Sequence, residues 1–139
     1  MINFYYESQF ELENEEKYTN WIIKIVESEN RVLGELSYVF CSDDYIFELN
    51  EKYLGHSTFT DIITFDYSVK ENLSGEIYIS IDRVKENAEE YKEEFEIELL
   101  RVMAHGVLHL SGYKDKKEQD KELMRVKENE KIQMFHVKQ

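Results

Sequence analysis

Proline is absent from this 139-residue chain, glycine occurs five times and cysteine once. A lone thiol, Cys41, excludes a disulfide framework and suits a reducing compartment. No apolar run approaches the roughly 18 residues of a membrane-spanning helix. The first residues, Met1-Ile-Asn-Phe-Tyr-Tyr-Glu7, lack the basic and long apolar regions of a secretory signal, so a cytoplasmic protein with no membrane part is expected. There is no repeat, no low-complexity tract and no linker rich in Pro, Gly or Ser, which points to one domain over 1–139. Basic residues are scarce too: 17 Lys and Arg against 30 Asp and Glu leave a net charge of −13. A chain this acidic is repelled by nucleic acid at long range and has little non-specific affinity for it. The deficit is uneven, with 24 acids and 9 bases in 1–113 but 6 acids and 8 bases in 114–139.

Apolar residues are plentiful, at 42% with 14% aromatic, enough for a core without a disulfide or metal. β-Branched and aromatic content predicts a strand over 2–6, and Tyr18, Trp21, Ile22, Ile25 and Val26 recur at helical spacing within about 14–29. A second strand is expected over 35–41. A helix capped by Ser42-Asp43-Asp44 follows, running to Tyr53 or Leu54 with Gly55 as its stop. Strands over 61–67 and 76–81 read as a hairpin turning at Asn72-Leu-Ser-Gly75. Three helices, about 82–92, 94–111 and 116–135, close the chain. The order β-α-β-α-β-β-α-α-α predicts an α+β, three-layer α/β-like domain, with a small four-stranded mixed sheet and about five helices.

Chemistry concentrates on the second of those closing helices. His105 and His109 stand four residues apart, which puts both imidazoles on one helix face about a turn apart, as two ligands of one metal ion require. Gly112 suits the left-handed residue that ends a helix and can swing Asp115 back towards them. The segment His105-Gly-Val-Leu-His109-Leu-Ser-Gly112-Tyr-Lys-Asp115 therefore offers two histidines and a carboxylate at a spacing close to the metzincin zinc pattern. Zn²⁺ is the expected ion, with other divalent ions open. Gly106 stands where zincins carry their general-base glutamate, so a metalloprotease would lack its proton acceptor. Asp115 has a second reading, as N-cap of the last helix in a box with Glu118. Lys117, Lys121 and Arg125, spaced by four, form a cationic stripe that suits either phosphate contact or a solvated face.

The same residues resemble the YbeY endoribonucleases, the bacterial rRNA maturation factors. His105-Gly-Val-Leu-His-Leu-Ser-Gly-Tyr113 matches that family's signature, with Glu118, Met124 and Glu128 at matching downstream spacing. Leu49-Asn50-Glu-Lys-Tyr53, Thr60-Asp61-Ile-Ile-Thr-Phe65 and Gly75-Glu-Ile-Tyr-Ile-Ser80 are similar to its other motifs. The resemblance implies one metal, usually taken as Zn²⁺, held by His105, His109 and a third ligand. It implies single-strand-specific cleavage of RNA, in 16S rRNA 3′-end maturation and ribosome quality control. The implied partners are ribosomal RNA, the small ribosomal subunit and candidate ribosomal or GTPase proteins. Catalysis would centre on His105 and His109, and Asn50, His56, Thr60 and Asp61 are candidates for holding substrate beside Lys117, Lys121 and Arg125. Two departures stand out. The family's third ligand is commonly histidine, where this chain has Asp115. Its phosphate-engaging arginine after Asn-x-x-Tyr is here Leu54, which cannot hydrogen-bond a phosphate. A ribosome-assembly factor with a purely structural metal is the rival that this loss supports.

Overall fold

The computed structural model describes residues 1–55 and 60–136. Its elements run β1 (Ile2–Glu7), α1 (Glu15–Ser28), β2 (Val32–Cys41), α2 (Asp43–Leu54), β3 (Ile62–Asp66), β4 (Asn72–Ser80), α3 (Ile81–Glu90), α4 (Phe95–Leu110) and α5 (Glu118–His136). Local chemistry starts three of the helices: the side chains of Asn14, Ser42 and Ser80 accept hydrogen bonds from the backbone N–H groups of Lys17, Tyr45 and Arg83. Gly55 ends α2 in the left-handed conformation, as expected.

The four strands form one sheet in the order β1-β2-β4-β3, with β1, β2 and β4 parallel and β3 antiparallel to β4. The expected mixed sheet and five helices are thus present. Leu36, Tyr38, Phe40, Leu73, Ile77 and Ile79 project from one face of the sheet into the main core, where they meet Ile22, Ile25 and Val26 of α1 and Leu100, Met103 and Val107 of α4. Phe135 of α5 closes that core against Tyr18 and Trp21. On the opposite face α2 packs Ile46 against Cys41 and Ile63. No described helix is long and apolar enough to cross a membrane.

Three boundaries depart from the sequence reading. The hairpin turns at 68–71, not at 72–75: the Asp66 side chain accepts from Ser68 N–H, and Lys70 takes a positive φ of 54°. The Asn-Leu-Ser-Gly run instead begins β4, because Asn72, Leu73 and Gly75 pair with β2. β2 itself starts at Val32, its alternation hidden by an irregularity in pairing between Leu33 and Leu36. Finally, α5 begins at Glu118, two residues later than expected, and Lys117 flanks its first turn, its carbonyl accepting from Lys121 N–H at 2.9 Å.

Candidate metal centre and cleft

α4 is the sheet's central cover, and its exposure pattern isolates the site. Within 101–110 every residue is buried except Arg101, His105 and His109. These are spaced by four and so form one stripe along the helix. The other faces are fixed by packing. Tyr38, itself fully buried, donates its hydroxyl to the Met103 carbonyl at 2.9 Å. A Cβ on Gly106 would lie 2.9 Å from two carbons of the Ile77 side chain. The position where zincins carry their base therefore faces the sheet and has no room for a side chain.

A Schellman motif ends α4: Tyr113 N–H donates to the Leu108 carbonyl and Gly112 N–H to that of His109, both at 3.0 Å. Gly112 is needed there, since its φ of +105° is a conformation that side chains disfavour. The turn is clamped from the segment that follows α1. Arg31 donates to the Ser111 carbonyl at 2.6 Å, and the Tyr113 hydroxyl donates to Glu29 Oε1 at 2.7 Å. Burial raises the Glu29 pKa, but hydrogen bonds from Lys131 and Tyr113 and the charges of Lys131 and Lys127 outweigh it and hold the carboxyl low.

The turn delivers Asp115 to the histidines. Its Oδ2 lies 3.3 Å from His105 Nε2 and 3.2 Å from His109 Nε2. Helix α5 starts three residues beyond Asp115, so this carboxylate faces the imidazoles and does not occupy the N-cap position. Each histidine presents Nε2 because its other nitrogen is occupied: His105 Nδ1 lies 2.6 Å from Glu128 Oε2, and His109 Nδ1 lies 3.0 Å from the Tyr113 carbonyl. With Nδ1–H donating in both rings, two Nε2 lone pairs and a carboxylate oxygen converge on one point. A cation belongs at such a point. Ligands about 2.0–2.1 Å from a tetrahedral ion lie about 3.3 Å from one another, which is the separation Asp115 keeps from each imidazole. His105, His109 and Asp115 can thus hold a metal ion. The local field agrees. Burial lowers the His105 pKa, yet the Glu128 hydrogen bond and the charges of Glu128, Asp115 and Asp61 raise it overall, and the same negative potential attracts a metal.

These groups lie in a cleft of about 400 Å³, which Thr60, Asp61, Glu98, Arg101 and Arg125 also line. Thr60 and Asp61 are therefore brought to the histidines, and burial pushes the Asp61 carboxyl up. Arg125 also lines an adjoining hollow with Lys121, whose only described ion pair is an exposed one to Glu118 at 3.9 Å. Asn50 is buried in α2 and is not among the lining residues, nor is Lys117. His56 lies outside the described residues.

Among the polar cleft residues, sequence reasoning missed Thr64, Asn87, Tyr91, Glu98 and Arg101. Glu98 and Arg101 precede His105 by seven and four positions, so helical periodicity would have found both. Arg101 bridges two carboxylates, with Nε 3.9 Å from Glu98 Oε1 and Nη1 3.4 Å from Glu128 Oε1. Burial is the main cause that lifts Glu98 to about 7, opposed by Arg101.

Comparison with known proteins agrees along the whole chain. The sequence model of the family described as Endoribonuclease YbeY matches residues 3–136. The chain is 55% identical over 139 residues to a Flavobacterium psychrophilum protein named Endoribonuclease YbeY, covering 100% of this chain and 99% of that one. It is 52% identical to a Flavobacterium johnsoniae protein of the same name, with full coverage of both. A Thermotoga maritima protein known from a solution structure superposes with a TM-score of 0.69 at 30% identity, covering 97% of this chain and 89% of that one.

Proposed function

The chain belongs to the Endoribonuclease YbeY family, and from that premise we propose that it is a metal-dependent endoribonuclease specific for single-stranded RNA. Its substrate on this reading is ribosomal RNA, at the 3′ end of the 16S species, and its setting is maturation and quality control of the small ribosomal subunit in the cytoplasm. The observation that carries the reading is the convergence of His105 Nε2, His109 Nε2 and Asp115 Oδ2 in a polar cleft, each imidazole held by a partner at Nδ1.

A divalent ion there, Zn²⁺ by its match to two imidazoles and a carboxylate, supplies Lewis acidity to a phosphodiester. The remaining work falls to the chain. Glu128 and the Tyr113 carbonyl fix both rings in the tautomer that presents Nε2. Arg125 makes no ion pair among the described residues and lines the cleft, so it is the guanidinium free to take a phosphate oxygen where Leu54 cannot. Glu98 can hold or release a proton near neutral pH. Thr60 and Asp61 face the same space and orient substrate.

Metal analysis of the purified protein beside Asp115→Ala, with cleavage of single-stranded RNA by wild type and His109→Ala, tests the proposal. Wild type should carry one divalent ion and cut RNA, and His109→Ala should not cut. Wild type that holds metal but leaves RNA intact would favour the assembly-factor reading, which Leu54 supports. Peptide hydrolysis should be absent, since Gly106 has no space for a base.

A further inference from the structure

We propose that Asn87 and Tyr91 form a nucleobase subsite on the wall of the metal cleft, where one unstacked base lies on the Tyr91 ring and turns its edge to the Asn87 amide. The inference rests on the endoribonuclease reading and names what that site recognises beyond a phosphodiester.

Both residues line the cleft that holds His105, His109 and Asp115. They stand four positions apart at the end of α3, so they share one face of it, and Tyr91 N–H caps the helix on the Asn87 carbonyl at 2.9 Å. Tyr91 is 63% exposed, and its side chain has neither a ring contact nor a hydroxyl hydrogen bond among the described residues. Most other tyrosines are engaged: the hydroxyls of Tyr6, Tyr38, Tyr67 and Tyr113 have partners, and Tyr45 and Tyr53 pack on other rings. The Asn87 amide is half-buried, and it too has no hydrogen-bond partner among the described residues. A single exposed tyrosine is ordinary on a protein surface. An idle ring beside an idle amide, both facing a metal-ligating cluster, is a polar-plus-aromatic pair of the kind that reads a base.

The layout gives a nucleotide two ends. α3 and α5 flank α4, which carries the histidines between them. With Arg125 on α5 as the phosphate contact, the base of the same nucleotide is directed to α3. Among the described lining residues Tyr91 is the only aromatic besides the two imidazoles, so stacking has one platform. Stacking on a side chain requires a base that has left its neighbours, which paired RNA does not offer. Preference for single strands follows from this geometry.

The test uses the metal-loaded full-length protein and single-stranded RNA carrying one 2-aminopurine, followed by stopped-flow fluorescence and by cleavage kinetics. Wild type should quench the probe on binding, before cleavage. Tyr91→Leu should lose the quench and raise KM about 5- to 100-fold with kcat changed little, while Tyr91→Phe and Tyr91→Trp keep both. Asn87→Ala should keep the quench and flatten the preference among oligonucleotides that differ only at the probed position. A Tyr91 that merely ends a helix would shift unfolding temperature in Tyr91→Leu and leave KM and the quench as in wild type. That result, with wild-type cleavage intact, overturns the subsite alone. Wild type that neither binds nor cuts the probe overturns the enzyme reading with it.

Discussion

Glu128→Gln is expected to weaken metal binding 10- to 100-fold without unfolding the protein. Glu128 is 5% exposed and divides its carboxylate between two partners, with Oε2 2.6 Å from His105 Nδ1 and Oε1 3.4 Å from Arg101 Nη1. A glutamine of the same shape has one acceptor oxygen, so it can serve His105 or Arg101 but not both. Its amide oxygen is also uncharged. A hydrogen bond to a charged acceptor contributes about 1.5–3 kcal/mol, against about 0.5–1.5 kcal/mol for a neutral one. The difference, about 1–1.5 kcal/mol or roughly 5- to 13-fold, is lost from the basicity and orientation of His105 Nε2, and the remainder of the 10- to 100-fold usual for partners of metal-bound histidines comes from the acceptor lost to Arg101. Competition with a chromogenic chelator for Zn²⁺ at pH 7.5 measures it. Asn129→Ala is the control, because Asn129 touches Arg101 at 2.9 Å but no histidine, and it should stay within about threefold of wild type. Glu128→Gln with wild-type affinity would refute the view that this carboxylate sets the ligand.

Further consequences concern protons and packing. Glu98 has a folded pKa of about 7, above the 4.5 of an ordinary glutamate, so the native state holds its proton more tightly and loses stability as pH rises from about 4.5 through 7. Glu98→Gln should therefore gain stability over wild type by up to about 3 kcal/mol at pH 8 and almost nothing at pH 4.5, in urea unfolding at the two pH values; an equal difference at both removes the explanation. Metal affinity should fall on acidification, by about tenfold per pH unit for each imidazole protonated, with His105 titrating above the usual 6.5; isothermal titration across pH 5–8 reads this out. Gly106→Ala presses a methyl on Ile77 and should cost about 1–3 kcal/mol in chemical denaturation. Lys131 is fully buried, 2.7 Å from Glu29 Oε2 and 2.9 Å from Ser28 Oγ, so Lys131→Ala should cost about 3–5 kcal/mol and lower Tm by roughly 10–17 °C.

The two histidines and their turn were legible because the chemistry is local. His105 and His109 share a helix face, Gly112 must take a positive φ, and Asp115 follows three residues later. Helix spacing and turn geometry need nothing from the rest of the chain. The sheet was nearly as legible, since alternation in 76–81 and helical spacing in 14–29 survive burial. What failed were places where distant chain decides. Asn72 to Gly75 has turn composition, yet pairing with β2 takes it into a strand and moves the turn to Lys70. Asp115 has two local readings, and they are separated by the start of α5 at Glu118 and by the approach of its carboxylate to both imidazoles. Nothing local marks Glu98 out among the 30 acids. Its pKa near 7 arises from burial among Asp61, Arg101, Arg125 and Glu128, residues that come from three parts of the chain.

The net charge of −13 and an anionic substrate are reconciled at the cleft. Its described lining holds four carboxylates, from Asp61, Glu98, Asp115 and Glu128, and two guanidiniums, from Arg101 and Arg125. Four carboxylates against two guanidiniums leave the cleft a formal excess of two negative charges before any proton on His105 or Glu98 is counted. Phosphate is repelled from such a surface, and the rest of the acidic body adds to the repulsion. On the proposed reading, a divalent cation at His105, His109 and Asp115 cancels that excess where the phosphodiester would sit. Metal ligation and substrate capture would then share one electrostatic cause. Because Arg101 is committed to Glu98 and Glu128, Arg125 alone extends that positive field outward, towards Lys121. So small a patch on so acidic a protein gives weak attraction to RNA at large and, on the proposed reading, leaves selection to the cleft, where a bound ion, Arg125 and Tyr91 would meet one strand.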